Sequence, residues 1–203
     1  MIYLIGIGPG DKRFLTLLAL EKVNSCKYIV GSRRALSLFE LKDKEVYEVR
    51  NVVEDLKNIL GSIDYKAHDM AILSTGDPCF SGLLKTLLKI GVDKEYIEVI
   101  PGISSVQIAS AKLKISWEDF KILTLHGKRE NLKKLIDYIK NNEKVIFLPN
   151  NLKEDAKYLV ENGIDREVWI LENLTYPNEK IYKLKLSDCI NKEFSYLTIC
   201  VLD

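Results

Sequence analysis

Glycine and proline recur together in three short stretches, the first two with one aspartate each: GIGPGD at 6–11, STGDPCFSG at 74–82 and PGISS at 101–105. Each directly follows a β-rich apolar run. Glycine lets backbone approach a neighbour closely, and proline stiffens a turn and removes a donor. Such loops offer rigid walls of backbone amides and carbonyls, with Asp77 as an acceptor. GIGPGD departs from the dinucleotide fingerprint, which has glycine at its first, third and sixth positions. Here Asp11 takes the sixth position and Pro9 the fourth, and an aspartate there would repel a pyrophosphate. No GxxxxGK[ST] phosphate loop is present. Structural roles are open to each stretch: a chain-reversing turn for GIGPGD, an Asx turn or N-cap for Asp77, helix capping for Ser104 and Ser105. Taken together, the three suit a ligand with a ribose, an adenine and a positive centre better than a polyphosphate.

The elements that must position these loops alternate. Apolar, β-rich runs at 3–7, 27–30, 45–49, 70–73 and 97–100 are separated by helix-like segments at 16–23, 34–39, 53–59, 83–90 and 104–112. Leu83, Leu84, Leu87 and Leu88 show the helical spacing, and Gly91 supplies a stop. This alternation predicts a mostly parallel sheet covered on both faces. Ligands of open α/β sheets bind beyond the carboxyl ends of the strands, where all three loops fall. The second half predicts strands at 121–125 and 145–148 around a helix at 131–140, a helix at 154–162, and strands at 168–171, 180–184 and 196–202. Strands that follow closely on one another imply an antiparallel portion. The pattern breaks near 113–118, which divides the chain into domains 1–113 and 114–203.

Bulk properties narrow the partners. With 203 residues the chain holds one large or two small α/β domains. Its 30 basic and 29 acidic residues give a net charge of +1, so no general affinity for nucleic acid or membrane is expected. The N-terminus lacks the features of a signal peptide, and no apolar run has the length of a membrane span. Cys26, Cys79, Cys189 and Cys200 form no CxxC pair, and only His68 and His126 could join them, so no metal site is expected. Reduced thiols in a cytoplasm are the simple reading.

GIGPGD with the following Leu-Thr, GDP in the middle and PGISS after it resemble the tetrapyrrole methylases. These are S-adenosylmethionine-dependent methyltransferases of a non-Rossmann, two-domain α/β type. The resemblance spans essentially the whole chain. It implies an N-terminal, mostly parallel sheet and a C-terminal mixed sheet with flanking helices. VGSRRAL at 30–36, VIPGISSVQIASAKL at 99–113, WEDFK at 117–121, LHGK at 125–128 and ENLTYPNEKIYK at 172–183 narrow it. They resemble the branch that methylates C5 of (cobalt-)precorrin-7 in corrin-ring synthesis for cobalamin. One departure is Lys128, where that branch usually has arginine; the charge is kept and a bidentate grip is lost. Some relatives are fused to a second methyltransferase and decarboxylase acting at C15. This chain ends at Asp203, which suggests a free-standing C5 enzyme with a possible separate C15 partner.

The resemblance implies S-adenosylmethionine in a cleft between the two domains. Pro9 would lie against it, Gly76, Asp77 and Phe80 would line it, and Ser104 and Ser105 would contact its methionine end. Backbone near Leu148 and Leu174 would close over the adenine. The tetrapyrrole's carboxylates would meet Arg33, Arg34 and Lys128, against a default of solvated surface for basic pairs. The methyl group arrives activated on a sulfonium, so no essential nucleophile is expected. His126 is the candidate base for a proton lost from the macrocycle, against an alternative role in ordering its own loop. A cytoplasmic homodimer is implied. The rivals are a methylase for another precorrin, diphthine synthase, a nicotinamide-dependent oxidoreductase and a non-catalytic binding protein. The oxidoreductase is disfavoured by Asp11 and by Ser32 and Arg33 at the end of the second strand, where an acidic residue would stand.

Overall fold

A computed structural model describes residues 1–203. It divides into two compact units, Met1–Ser104 and Ser105–Asp203. In the first unit, strands β1 (Ile2–Gly6), β2 (Tyr28–Gly31), β3 (Glu45–Glu48), β4 (Met70–Ser74) and β5 (Ile97–Ile100) alternate with helices α1 (Leu17–Ser25), α2 (Arg33–Leu36), α3 (Val52–Ser62) and α4 (Leu84–Lys89). Every strand pairing is parallel, and the order is β3-β2-β4-β1-β5.

Side-chain alternation explains the layering. Ile2 and Leu4 of β1 join Met70 and Ile72 of β4 in a cluster with Leu56 and Ile59 of α3 and Leu87 of α4. Ile5 and Ile7 join Ala71 and Leu73 on the opposite face with Ala19 and Val23 of α1 and Ala35 of α2. The period of two in a strand sends neighbouring residues to opposite faces, so an all-apolar strand must be covered twice. The connections that leave β1 and β4 therefore run over opposite faces and in opposite directions along the sheet. Between adjacent β1 and β4 lies the switch point at which open α/β sheets bind ligands. GIGPGD and STGDPCFSG are the loops that leave these two strands.

The second unit holds α5 (Ser105–Leu113), β6 (Lys121–Thr124), α6 (Asn131–Lys140), β7 (Val145–Leu148), α7 (Leu152–Glu161), β8 (Glu167–Glu172), β9 (Lys180–Lys185), α8 (Leu186–Cys189) and β10 (Thr198–Leu202). The order is β6-β7-β10-β8-β9, parallel between β6 and β7 and antiparallel elsewhere. The sheet is therefore mixed, as the closely spaced strands implied. Its core is built on Phe147, Ile170 and Cys200 from the sheet, with Leu135 of α6, Leu159 of α7 and Leu186 of α8.

The units divide ahead of residue 113, because α5 packs on β10 and on the short turn Trp117–Asp119 of the second unit. Helix α8 had no helical signature in the sequence: it buries only Leu186 and Cys189 and follows directly on β9. No helix is long and apolar enough to cross a membrane.

Candidate functional site

In the first unit the three glycine loops are locked together by backbone. Gly8 and Gly76 form an isolated antiparallel bridge, Gly8 N–H to Gly76 O at 3.3 Å and Gly76 N–H to Gly8 O at 2.8 Å. Both glycines have positive φ, +71° and +66°. A Cβ on Gly102 would stand 2.3 Å from Gly76 O and 2.7 Å from Gly6 Cα. A Cβ on Gly6 would stand 2.5 Å from Gly102 N. These approaches exclude a side chain at Gly6 and Gly102, and Gly76 needs glycine for its left-handed φ, so the loops after β1, β4 and β5 meet only because all three residues are glycine.

Asp77 ties the same loops by its side chain. Oδ1 accepts from Cys79 N–H at 2.8 Å, which makes an Asx turn. Oδ2 accepts from Gly102 N–H at 3.1 Å, across to the PGISS loop. Phe80 N–H donates to Asp77 O at 3.2 Å and leaves the Phe80 ring half-buried. Pro9 is buried. Ser104 is half-buried at the end of the first unit, and Ser105 is the first residue of α5.

The geometry bears on which ligand these loops fit. A phosphate loop needs successive amides free to point at the anion. Here the Ile7 N–H is spent on Ser74 O at 2.9 Å, Gly8 N–H is spent on Gly76, and Pro9 has none. Nor does the turn open a helix. A 3-10 turn, Lys12–Phe14, intervenes, and Thr16 Oγ1 caps α1 by accepting from Ala19 N–H at 3.0 Å. Asp11 is engaged by Arg13, whose Nη2 lies 2.7 Å from Oδ2 and whose guanidinium and backbone N–H hold the carboxyl below its ordinary pKa. The loops are thus ill-suited to a pyrophosphate. By contrast, a Cβ added at Gly76 would meet nothing within 4 Å, so that side of the turn is open beside a rigid wall whose amides are spent. An uncharged ribose or a cationic sulfonium fits such a wall.

Arg34 Nη2 donates to Thr75 Oγ1 at 2.9 Å, which brings one of the expected substrate cations to the loop after β4. Arg33 is exposed on the first turn of α2, which Ser32 Oγ caps.

The second unit gathers its motifs at one edge of its sheet. The loops after β6, β7 and β8 and the segment before β10 all lie at the edge formed by the carboxyl ends of β6 and β7. Leu148 ends β7, and its carbonyl accepts from Leu125 N–H at 2.8 Å. His126 follows, half-buried. Burial pushes its pKa down and a hydrogen bond to the Pro149 carbonyl pulls it back up. Its Nε2 is buried and has no hydrogen-bond partner. Its ring stacks on Tyr196, with centroids 5.0 Å apart and planes 13° apart. Lys128 is half-buried, two residues beyond His126 in a turn closed by Lys128 N–H to Leu125 O at 3.0 Å.

Leu174 is buried, and two carboxylates hold its loop. Glu172 accepts from Tyr182 Oη and from Ser195 N–H, both at 2.5 Å. Glu179 accepts from Thr175 N–H at 2.8 Å and pairs with Lys112 Nζ at 2.6 Å. Asn173 and Thr175 sit at φ +50° and +72°, in the left-handed region. Sequence reasoning passed over Glu172, Glu179 and Tyr196. The acids lie in the quoted ENLTYPNE stretch, but nothing in a sequence marks which acid folds inward. All four cysteines are free thiols, and no group of three or more His, Cys, Asp or Glu side chains is placed to hold a metal ion.

The profile of the tetrapyrrole (corrin/porphyrin) methylases matches residues 1–190. A Methanocaldococcus jannaschii protein described as a probable cobalt-precorrin-7 C(5)-methyltransferase is 60% identical over 100% of this chain and 98% of its own length. A Salmonella typhimurium cobalt-precorrin-7 C(5)-methyltransferase is 26% identical over 100% of this chain and 99% of its own. Among solved structures, a cobalamin-biosynthesis precorrin-6Y methylase from Archaeoglobus fulgidus superposes with a TM-score of 0.76 at 28% identity, covering 100% of this chain and 97% of that one.

Proposed function

The chain belongs to the tetrapyrrole methylases, and we propose that it transfers a methyl group from S-adenosylmethionine to C5 of (cobalt-)precorrin-7 in the synthesis of the corrin ring of cobalamin. The observation that carries the position of methylation is the end-to-end 60% identity to the Methanocaldococcus protein of that description. The observation that supports the cofactor is the open, amide-spent wall at Gly76, which disfavours a dinucleotide.

S-adenosylmethionine supplies a methyl group already activated on a sulfonium, so the protein's task is alignment and exclusion of water. Alignment of reactants accounts for a large share of such accelerations. We assign cofactor contact to Pro9, Gly76, Phe80, Ser104, Ser105, Leu148 and Leu174, and a supporting place behind them to Asp77. Asp77 acts in this reading by holding the loops, since both of its oxygens already accept backbone N–H groups. Loss of the sulfonium charge on transfer favours a water-poor site. Arg33, Arg34 and Lys128 take the carboxylates of the macrocycle.

His126 Nε2 is the acceptor we assign for the proton that the macrocycle gives up. Its neutral form is favoured by burial, and its lone pair has no partner within the protein. The stack on Tyr196 and the hydrogen bond to Pro149 support a second reading, in which His126 orders its loop. His126→Gln separates the two: loss of turnover with unchanged affinities supports the base. We place the enzyme in the cytoplasm as a homodimer.

Calorimetric titration with S-adenosylhomocysteine and, in parallel, NAD tests the cofactor class. Binding of S-adenosylhomocysteine alone is expected. Binding of NAD alone contradicts the proposal.

A further inference from the structure

Tyr196 is 72% exposed, yet the residues on either side of it are hydrogen-bonded into the second unit. Its neighbour Ser195 is held on three sides. Ser195 N–H donates to Glu172, which is 6% exposed. Ser195 Oγ donates to Asn173 Oδ1 at 2.7 Å and accepts from Leu197 N–H at 3.1 Å. Asn173 N–H closes the loop on Leu197 O at 2.9 Å. A surface tyrosine needs none of this for stability. Fixing an exposed ring costs rotamer entropy, and the loop that fixes it holds Asn173 and Thr175 in the left-handed region. One face of the ring lies parallel on the His126 imidazole. The other face is turned to solvent. Lys128 stands two residues from His126 on a turn whose Gly127, at φ +62°, has nothing within 4 Å of an added Cβ.

We propose that Tyr196, backed by His126 in the loop-ordering role of the second reading above, is a pre-ordered stacking platform for the conjugated ring of the carboxylated substrate, with Lys128, two residues from His126, for a carboxylate arm. The proposal rests on the tetrapyrrole reading above and adds a residue and a role to it. Rigid aromatic faces bind flat π-systems by offset stacking, and prior ordering removes the entropy cost from the binding step. The pairing of a flat face with a nearby cation suits a macrocycle whose carboxylate arms spring from the ring itself better than the cofactor's adenine, whose ring bears no carboxylate. Glu172 is the positioning residue of the platform, acting through Ser195.

The test compares wild type, Tyr196→Ala and Tyr196→Phe in titrations with cobyrinic acid, a stable carboxylated corrin, and separately with S-adenosylhomocysteine. Tyr196→Ala is expected to weaken the corrin about tenfold, the loss of one good stacking contact with its buried area. Tyr196→Phe should bind within about twofold of wild type, since the ring and not the hydroxyl is used. Both variants should keep wild-type affinity for S-adenosylhomocysteine. Equal corrin affinity in wild type and Tyr196→Ala overturns the platform and leaves the functional reading standing. Loss confined to S-adenosylhomocysteine, or equal loss of both ligands, also overturns it. A wild type that binds S-adenosylhomocysteine and no corrin overturns the tetrapyrrole reading, and the platform with it.

Discussion

Replacing Asp77 should damage the fold first and the cofactor site only through it. The carboxylate joins two loops, by Cys79 N–H at 2.8 Å and Gly102 N–H at 3.1 Å. Hydrogen bonds to a charged group contribute about 1.5–3 kcal/mol each, and a donor left unpaired out of water costs about 1–3 kcal/mol. Cys79 is exposed, so its N–H turns to water at little cost. Gly102 N–H has Gly6 and Gly76 against it and has no such outlet. Asp77→Ala should therefore lose about 2–3 kcal/mol, most of it at Gly102. Asp77→Asn keeps one acceptor and should lose about 1–2 kcal/mol. For a chain of this size each kcal/mol lowers Tm by about 2–4 °C. The assay is thermal unfolding with and without S-adenosylhomocysteine, beside calorimetric affinity at a temperature where both variants are folded. A variant with wild-type Tm and a tenfold weaker affinity would refute the reasoning, because Asp77 would then touch the cofactor instead of holding the loops.

Glycine substitutions should divide by the space around them. Gly102→Ala places a Cβ 2.3 Å from Gly76 O and should destabilise by more than about 3 kcal/mol in denaturant unfolding, whereas Gly61→Ala, within α3 and with nothing within 4 Å, should stabilise by about 0.5–1 kcal/mol. The lowered pKa of His126 makes the unfolded chain the better proton binder between the folded value and about 6.5. This contribution to stability is fully present above pH 6.5 and is lost as pH falls through that window. Unfolding free energies at pH 7.5 and 5.5 should show a smaller difference in His126→Gln than in wild type. Iodoacetamide should label Cys79 in the native protein and spare buried Cys26, Cys189 and Cys200. It should act more slowly than on free cysteine, because partial burial and the Asp77 charge push the Cys79 thiol up. Labelling of a buried thiol at the same rate would contradict the packing described.

The fold was legible where patterns are strong. β5 and β7, and the helix at Asn131–Lys140, stand where their apolar spacing put them. Strand alternation in the first half sufficed for a parallel sheet with two covered faces, because βα order constrains topology strongly. The extent of α2 was not legible: it stops at Leu36, where the bonding shortens to i→i−3, with Leu38 N–H on Ala35 O and Phe39 N–H on Leu36 O, both at 3.2 Å. The three loops could be read as related, but their mutual contact could not. The bridge between Gly8 and Gly76 and the reach of Asp77 to Gly102 join residues far apart in sequence, and no local pattern encodes such a pair. Glu172 was hidden for the same reason, as its partner Ser195 lies in another segment. Local signals reveal elements and turn chemistry, whereas a site assembled from several loops is a property of the closed sheet.

The most direct test of the central claim is to incubate the enzyme with cobalt-precorrin-7 and S-adenosylmethionine carrying a 13C methyl group, and to locate the label by NMR. The account predicts a single labelled methyl group, bonded to C5. Label at another ring carbon, or none transferred by a protein that binds both ligands, would contradict it.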